Sequence, residues 1–144
     1  MGLSNPFEYV RFSTASVAFT GAAGLGAVGN VPVFTVTGEI CIVYLIPFCE
    51  EALAEAAPGS ATLALGVTGA TTLLIAATAA LDIDANEFWV DTAPDANGIA
   101  VPAALRDILT TDNIVGTVAV ADINDGTIRF DCYWIPLSSD GHVA

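Results

Sequence analysis

The sequence predicts an all-β chain, a β-sandwich or jelly-roll-like fold with one short helix. Short runs rich in β-branched and aromatic residues succeed one another along the whole length. Glycine, proline and other turn formers punctuate them at short intervals. Hydrophobic residues make up 54% and charged residues only 13%, about half the roughly 25% of an ordinary globular chain. At 144 residues the chain is long enough for one domain with a real core, with residues 1–14 as a candidate extended arm.

The elements follow in order. "EYVRF" (8–12) and "SVAFT" (16–20) read as strands, as does "VPVFTVTG" (31–38), where Pro32 stands near the start and is tolerated. "EICIVYLIPF" (39–48) is a continuous apolar run, the pattern of a strand buried on both faces. "CEEALAEAAPG" (49–59) fits a short helical turn or an irregular excursion, and "SATLALGV" (60–67) alternates as a strand. "ATTLLIAAT" (70–78) is the helix candidate. "LDIDANEFWV" (81–90) reads as a strand and "DTAPDANG" (91–98) as a loop. "IVGTVAVADI" and "TIRFDCYWIPL" flank "NDG" (124–126), which predicts a β-hairpin with Gly126 at a positive-φ position. The total is roughly eight or nine short strands.

Charge narrows the function classes. Lysine is absent; Arg11, Arg106 and Arg129 face 16 acidic residues, for a formal charge of −13. Such a chain repels phosphate backbones and anionic lipid surfaces, so neither nucleic acid nor membrane is expected as a partner. With few charges to cover so apolar a chain, its outer faces are expected to be buried in part by copies of itself or by neighbours. The three arginines are each expected to pair with a specific carboxylate, within or between subunits. They join Tyr133 and Trp134 as candidate interface residues; these two aromatics point to opposite faces of their strand, so one is available to a partner. Phe130 and Trp89 read as core.

The motifs that suggest chemistry fail on their context. Gly24-x-Gly26-x-x-Gly29 has the spacing of a dinucleotide fingerprint, but Pro32 and a β-branched run follow where a helix must open, and Glu39 comes too early for the ribose acid. A connection between strands, with small residues permitting close approach, is expected instead. Asp82, Asp84 and Asn86 open like a calcium loop, but the glycine and glutamate that should follow are replaced by Glu87 and Ala93. The only histidine, His142, lies near Ser138, Ser139 and Asp140 at the chain end, which gives no rigid frame for a triad. Cys41, Cys49 and Cys132 form no C-x-x-C pair and read as free thiols in a reducing cytoplasm. No catalytic, cofactor or metal residue is assigned, and a non-enzymatic protein is expected. Residues 61–81 carry no charge, but Gly66 and Gly69 interrupt them and no Lys or Arg flanks them. A strand, a turn and a short helix are expected there, with no membrane span. The N-terminus lacks the pattern of a secretory signal.

The phrases "VAFTGAAGLGAVGNVPVFTVTGEI", "LGVTGATTLLIAATAALDIDANEFWVD" and "YWIPLSSDG" resemble small Ala/Thr/Gly-rich proteins encoded among the virion structural genes of tailed bacteriophages. The resemblance covers most of the chain and transfers no functional residues. It implies a capsid cement or decoration protein, typically a homotrimeric β-sandwich bound to the major capsid protein or other virion proteins. Such a protein would sit on the capsid surface after assembly in the bacterial cytoplasm. A tail or head–tail connector subunit is the alternative in the virion. A glycan- or receptor-binding module is a further one, needing an exposed cluster for which Trp89, Asp91 and Asp95 are the candidates.

Overall fold

A computed structural model describes residues 9–56 and 60–144. The described residues are all-β, with strands β1 (Arg11–Ala18), β2 (Gly29–Phe34), β3 (Val36–Thr37), β4 (Ile40–Glu55), β5 (Thr62–Val67) and β6 (Ala70–Ala79). They continue as β7 (Glu87–Phe88), β8 (Arg106–Thr110), β9 (Ile114–Ala119), β10 (Ile123–Pro136) and β11 (His142–Val143). One sheet has the order β1-β10-β4-β7, with β8 beside β7 on the same flank of β4; the second has the order β2-β9-β5-β6. β3 and β11 form a small third sheet. Every pairing between these strands is antiparallel. The chain crosses repeatedly between the two large sheets, and their inward side chains meet in one core. Val17, Ile42, Leu45, Phe130, Cys132 and Trp134 come from the first sheet, and Val31, Leu63, Leu65, Ile75, Ile114 and Val118 from the second. The accessible surface, 7096 Å², is close to the ~6,900 Å² expected of a compact chain of this mass.

Two long strands organise the sandwich. β10 lies between β1 and β4, pairing with β1 in unbroken register from Arg11↔Trp134 to Ala18↔Thr127. The register of β4 with β10 shifts at several points, one of them between Tyr133 and Trp134, where Val43 is the extra residue. Register breaks of this kind bend a strand locally and increase its twist.

Several expectations need correction. The helix at 70–78 is β6: the chain reverses at Thr68–Gly69, and β6 returns along β5. Leu74, Ile75 and Thr78 are the buried residues of that stretch, a spacing that imitates a helical face. It arises because two register breaks interrupt the strand's alternation. Among the described residues there is no α-helix, only single 3-10 turns such as Ala80–Asp82 and Ala103–Leu105, and no helix is long and apolar enough to cross a membrane.

Residues 49–55 continue β4 because Leu53 reaches the core and Glu51, Ala54 and Glu55 find partners on β10; residues 57–59 lie outside the described residues. The strand expected at 81–90 is reduced to β7. Asn86 takes φ +68° and the Glu87 carboxylate accepts the Asp84 N–H at 3.0 Å, which makes a turn there. The two strands expected at 8–12 and 16–20 are one, β1, and the N-terminal arm expected at 1–14 is part of it from Arg11; residues 1–8 lie outside the described residues.

Asn124-Asp125-Gly126 is not a hairpin loop. β9 and β10 belong to different sheets, and the tripeptide lies within β10, in its irregular pairing with β4. Gly126 does have positive φ, +102°; a Cβ there would lie 2.6 Å from the Ala52 carbonyl oxygen.

Candidate interaction surface

β4 was expected to be buried on both faces, and only one face is covered. Ile40, Ile42, Leu45 and Cys49 point into the core, while Val43, Ile46 and Phe48 are half-buried and Tyr44 is 42% exposed. Register carries this outward face across the sheet. Phe12 on β1 stands opposite Tyr133 on β10, Tyr133 opposite Tyr44 on β4, and Tyr44 opposite Arg106 on β8. The three aromatics form one row, with Phe12 and Tyr133 54% and 41% exposed and their ring centroids 5.1 Å apart. Val10, Val43, Tyr44 and Tyr133 line a shallow apolar hollow of about 290 Å³ beside it. Each residue of the row keeps 41–54% of its surface in solvent, an arrangement typical of contact surfaces.

A second row crosses the same face. Ser16 stands opposite Arg129, Arg129 opposite Phe48, and Phe48 opposite Phe88. Arg129 pairs with Glu50 at 3.2 Å and Asp131 at 3.1 Å, and its guanidinium lies 5.1 Å over the Phe48 ring. Two carboxylates and a ring fix its orientation. Arg106 is exposed at the start of β8 and Arg11 at the start of β1, so all three arginines belong to this sheet.

Of the two adjacent aromatics, Tyr133 faces outward and Trp134 inward. Trp134 is buried, its Nε1 donates to Ser13 Oγ at 3.0 Å, and its ring meets His142 edge to face at 5.6 Å. Ser13 Oγ in turn donates to the Val143 carbonyl at 2.7 Å. The sequence separates the two residues by parity; only the register reveals that Tyr133 has aromatic neighbours on both sides.

The remaining candidates are built into the scaffold. The glycine stretch links β1 to β2 without a helix, and its close neighbour is its own chain: a Cβ on Gly26 would collide with the Ile123 carbonyl oxygen, and Ile123 N–H donates to the Gly26 carbonyl at 2.8 Å. Trp89 is buried and donates through Nε1 to Thr78 Oγ1 at 3.0 Å. Asp91 and Asp95 accept the N–H groups of Ala93 and Asn97 in local turns. The exposed aromatic platform a sugar would need is therefore absent from that cluster.

Ser138 Oγ donates to Asp140 at 2.6 Å and accepts the Glu39 N–H at 2.8 Å, which leaves it turned to these partners while His142 faces Trp134. Among the described residues no three His, Cys, Asp or Glu side chains converge to hold a metal. Burial pushes the Cys132 thiol up to about 12; burial, with Glu87 nearby, pushes Cys49 up to about 11; burial and Asp107 raise Cys41. All three are free and held as neutral thiols rather than nucleophilic thiolates.

No family model matches this chain, and no curated protein matches it. Among solved structures, it is similar to a chain of the "Cyanophage Pam1 capsid asymmetric unit", with a TM-score of 0.48 and 21% identity over 88% of this chain and 85% of that one.

Proposed function

We propose that this chain is a non-enzymatic structural subunit of a bacteriophage virion, a capsid cement or decoration protein that works by covering a shell and joining its neighbours. The observation that carries this reading is the outer face of the first sheet. An apolar row, Phe12–Tyr133–Tyr44, stands in solvent on a chain with 16 acids and three arginines, and all three arginines belong to that sheet. Burying such a row against a partner contributes on the order of 25 cal/mol per Å² of apolar area, and an acidic remainder keeps a crowded particle soluble.

The topology supports the same reading. Two antiparallel sheets, β1-β10-β4 with β7 and β8 on the far flank of β4 and β2-β9-β5-β6, are of the kind from which the jelly rolls of capsids and lectins are built. The exposed aromatics lie on the sheet face, away from the Trp89 loop, which favours a shell contact over a sugar site.

Electron microscopy of particles with and without this chain tests the proposal, scored for added density on the shell and for survival on heating. Density on the capsid lattice and earlier rupture in its absence are expected. Density confined to a ring or tube at the tail would instead make it a connector or tail subunit, and unchanged particles would remove the virion role.

A further inference from the structure

We propose that two copies of this chain join edge to edge along β1, antiparallel about a two-fold axis, making one continuous sheet. The inference rests on the reading above that the chain works in an assembly, and it names the surface through which copies meet.

The argument begins with the edges of the two large sheets. β2 carries Pro32, which has no N–H to offer, and its register breaks between Pro32 and Phe34. β6 is interrupted twice. The far flank of β4 is occupied by β7, two residues long, and β8, five residues long, and β8 holds Asp107 at φ +57°. Proline, bulges and short strands are the devices that blunt an edge against pairing. β1 has none of them. Its eight residues, RFSTASVA, run in unbroken register with β10, and among the described residues β10 is its one strand partner.

Charge selects the occupant. A chain of net charge −13 opposes its own association wherever acids face acids. From Tyr9 to Gly38 the only charged residue is Arg11, so β1 itself carries no carboxylate; the one that reaches Thr14 from β10, Asp131, accepts the Thr14 Oγ1 hydrogen bond at 2.8 Å and is paired with Arg129. Its central side chains, Ser13, Thr14, Ala15 and Ser16, are small enough for a second backbone to approach.

Strand parity then limits the register. A two-fold axis normal to the sheet keeps outward residues opposite outward residues. Either Thr14 faces Thr14, with Phe12 opposite Ser16, or Ala15 faces Ala15, with Phe12 opposite Ala18. In both, the exposed ring of Phe12 lies over a small residue of the second copy. In the first, the Phe12–Tyr133–Tyr44 row of one copy runs on into the Ser16–Arg129–Phe48 row of the other, giving a joint face for the shell.

Sedimentation equilibrium of the full chain tests the pairing. The wild type is expected as two copies, and Phe12→Glu with Ser16→Glu, which places carboxylates opposite one another across the seam, should raise the dissociation constant at least tenfold. Thr72→Glu on β6 should leave it unchanged. Amide hydrogen exchange on the wild type adds a second measurement: protection along β1 should increase with protein concentration.

Three copies in solution would overturn the two-fold seam while keeping the assembly reading, as would a pair unaffected by the β1 double variant. A single copy with no concentration-dependent protection overturns the seam as well, and binding of that single copy to particles would leave the shell role intact. Should the double variant fail to fold, the exchange experiment decides alone.

Discussion

The indole Nε1 of Trp89 donates a hydrogen bond to Thr78 Oγ1 at 3.0 Å, with both residues buried. It ties the β6 edge to the segment that leads out of β7. Thr78→Val keeps the shape and leaves the indole N–H without an acceptor, at a cost of about 1–3 kcal/mol. Urea unfolding of Thr78→Val, Trp89→Phe and the double variant checks this. The Thr78 change should cost about 1 kcal/mol less in the Trp89→Phe background, where no indole donor is stranded.

Trp89 also shows what the sequence reveals. Its core placement was readable from its size and apolar surroundings, and so was the β-rich class, because β-branched runs and turn formers are local signals. The place of Pro32 within a strand and the positive φ of Gly126 were legible for the same reason. Pairing was not. Leu74, Ile75 and Thr78 imitate a helix because β6 is bulged against a strand the local pattern cannot name. The run at 39–48 looked buried on both sides because apolarity alone does not tell a covered face from a half-exposed one. Tyr133 was singled out, but its alignment with Phe12 and Tyr44 depends on residues distant in the chain.

Gly66 is required by space. A Cβ there would collide with the Ala70 carbonyl oxygen and the Thr71 backbone, where β6 bulges across β5. Gly66→Ala should destabilise by about 3 kcal/mol or more, since backbone atoms cannot step aside as a flexible side chain does. Gly98→Ala makes the comparison: its added Cβ meets nothing within 4 Å at φ +149°, so only backbone strain of about 1–2 kcal/mol is expected. Thermal melts of the two variants should rank in that order.

Val120 holds the opposite lesson. It turns the chain from β9 to β10 at φ +72°, with Ala121 N–H donating to the Ala119 carbonyl at 2.9 Å, a tight turn that strains a β-branched residue. The side chain is 72% exposed, so removing it loses little packing. Val120→Gly relieves about 1–3 kcal/mol of strain against roughly 0.5–1 kcal/mol of added chain entropy on unfolding. A net gain of about 1 kcal/mol and a melting temperature higher by a few degrees are expected; a lower one would show that the turn is unstrained.

The cysteines predict how stability falls in alkali. Burial raises Cys132 to about 12 and Cys49 to about 11, from an ordinary value of 9.0. Below pH 9 both thiols are protonated whether the chain is folded or not, and their contribution is fully present. Above pH 9 the unfolded chain releases these protons while the folded chain keeps them, so each further unit of pH favours unfolding. For Cys132 the slope approaches about 1.4 kcal/mol per pH unit, up to its folded value. The comparison that isolates the thiol is between variants. Urea unfolding at steps from pH 8 to pH 10.5 should show a steep loss in the wild type and a shallower one in Cys132→Ala, whose lower starting stability does not alter the slope. Equal slopes would mean that the core does not hold that proton.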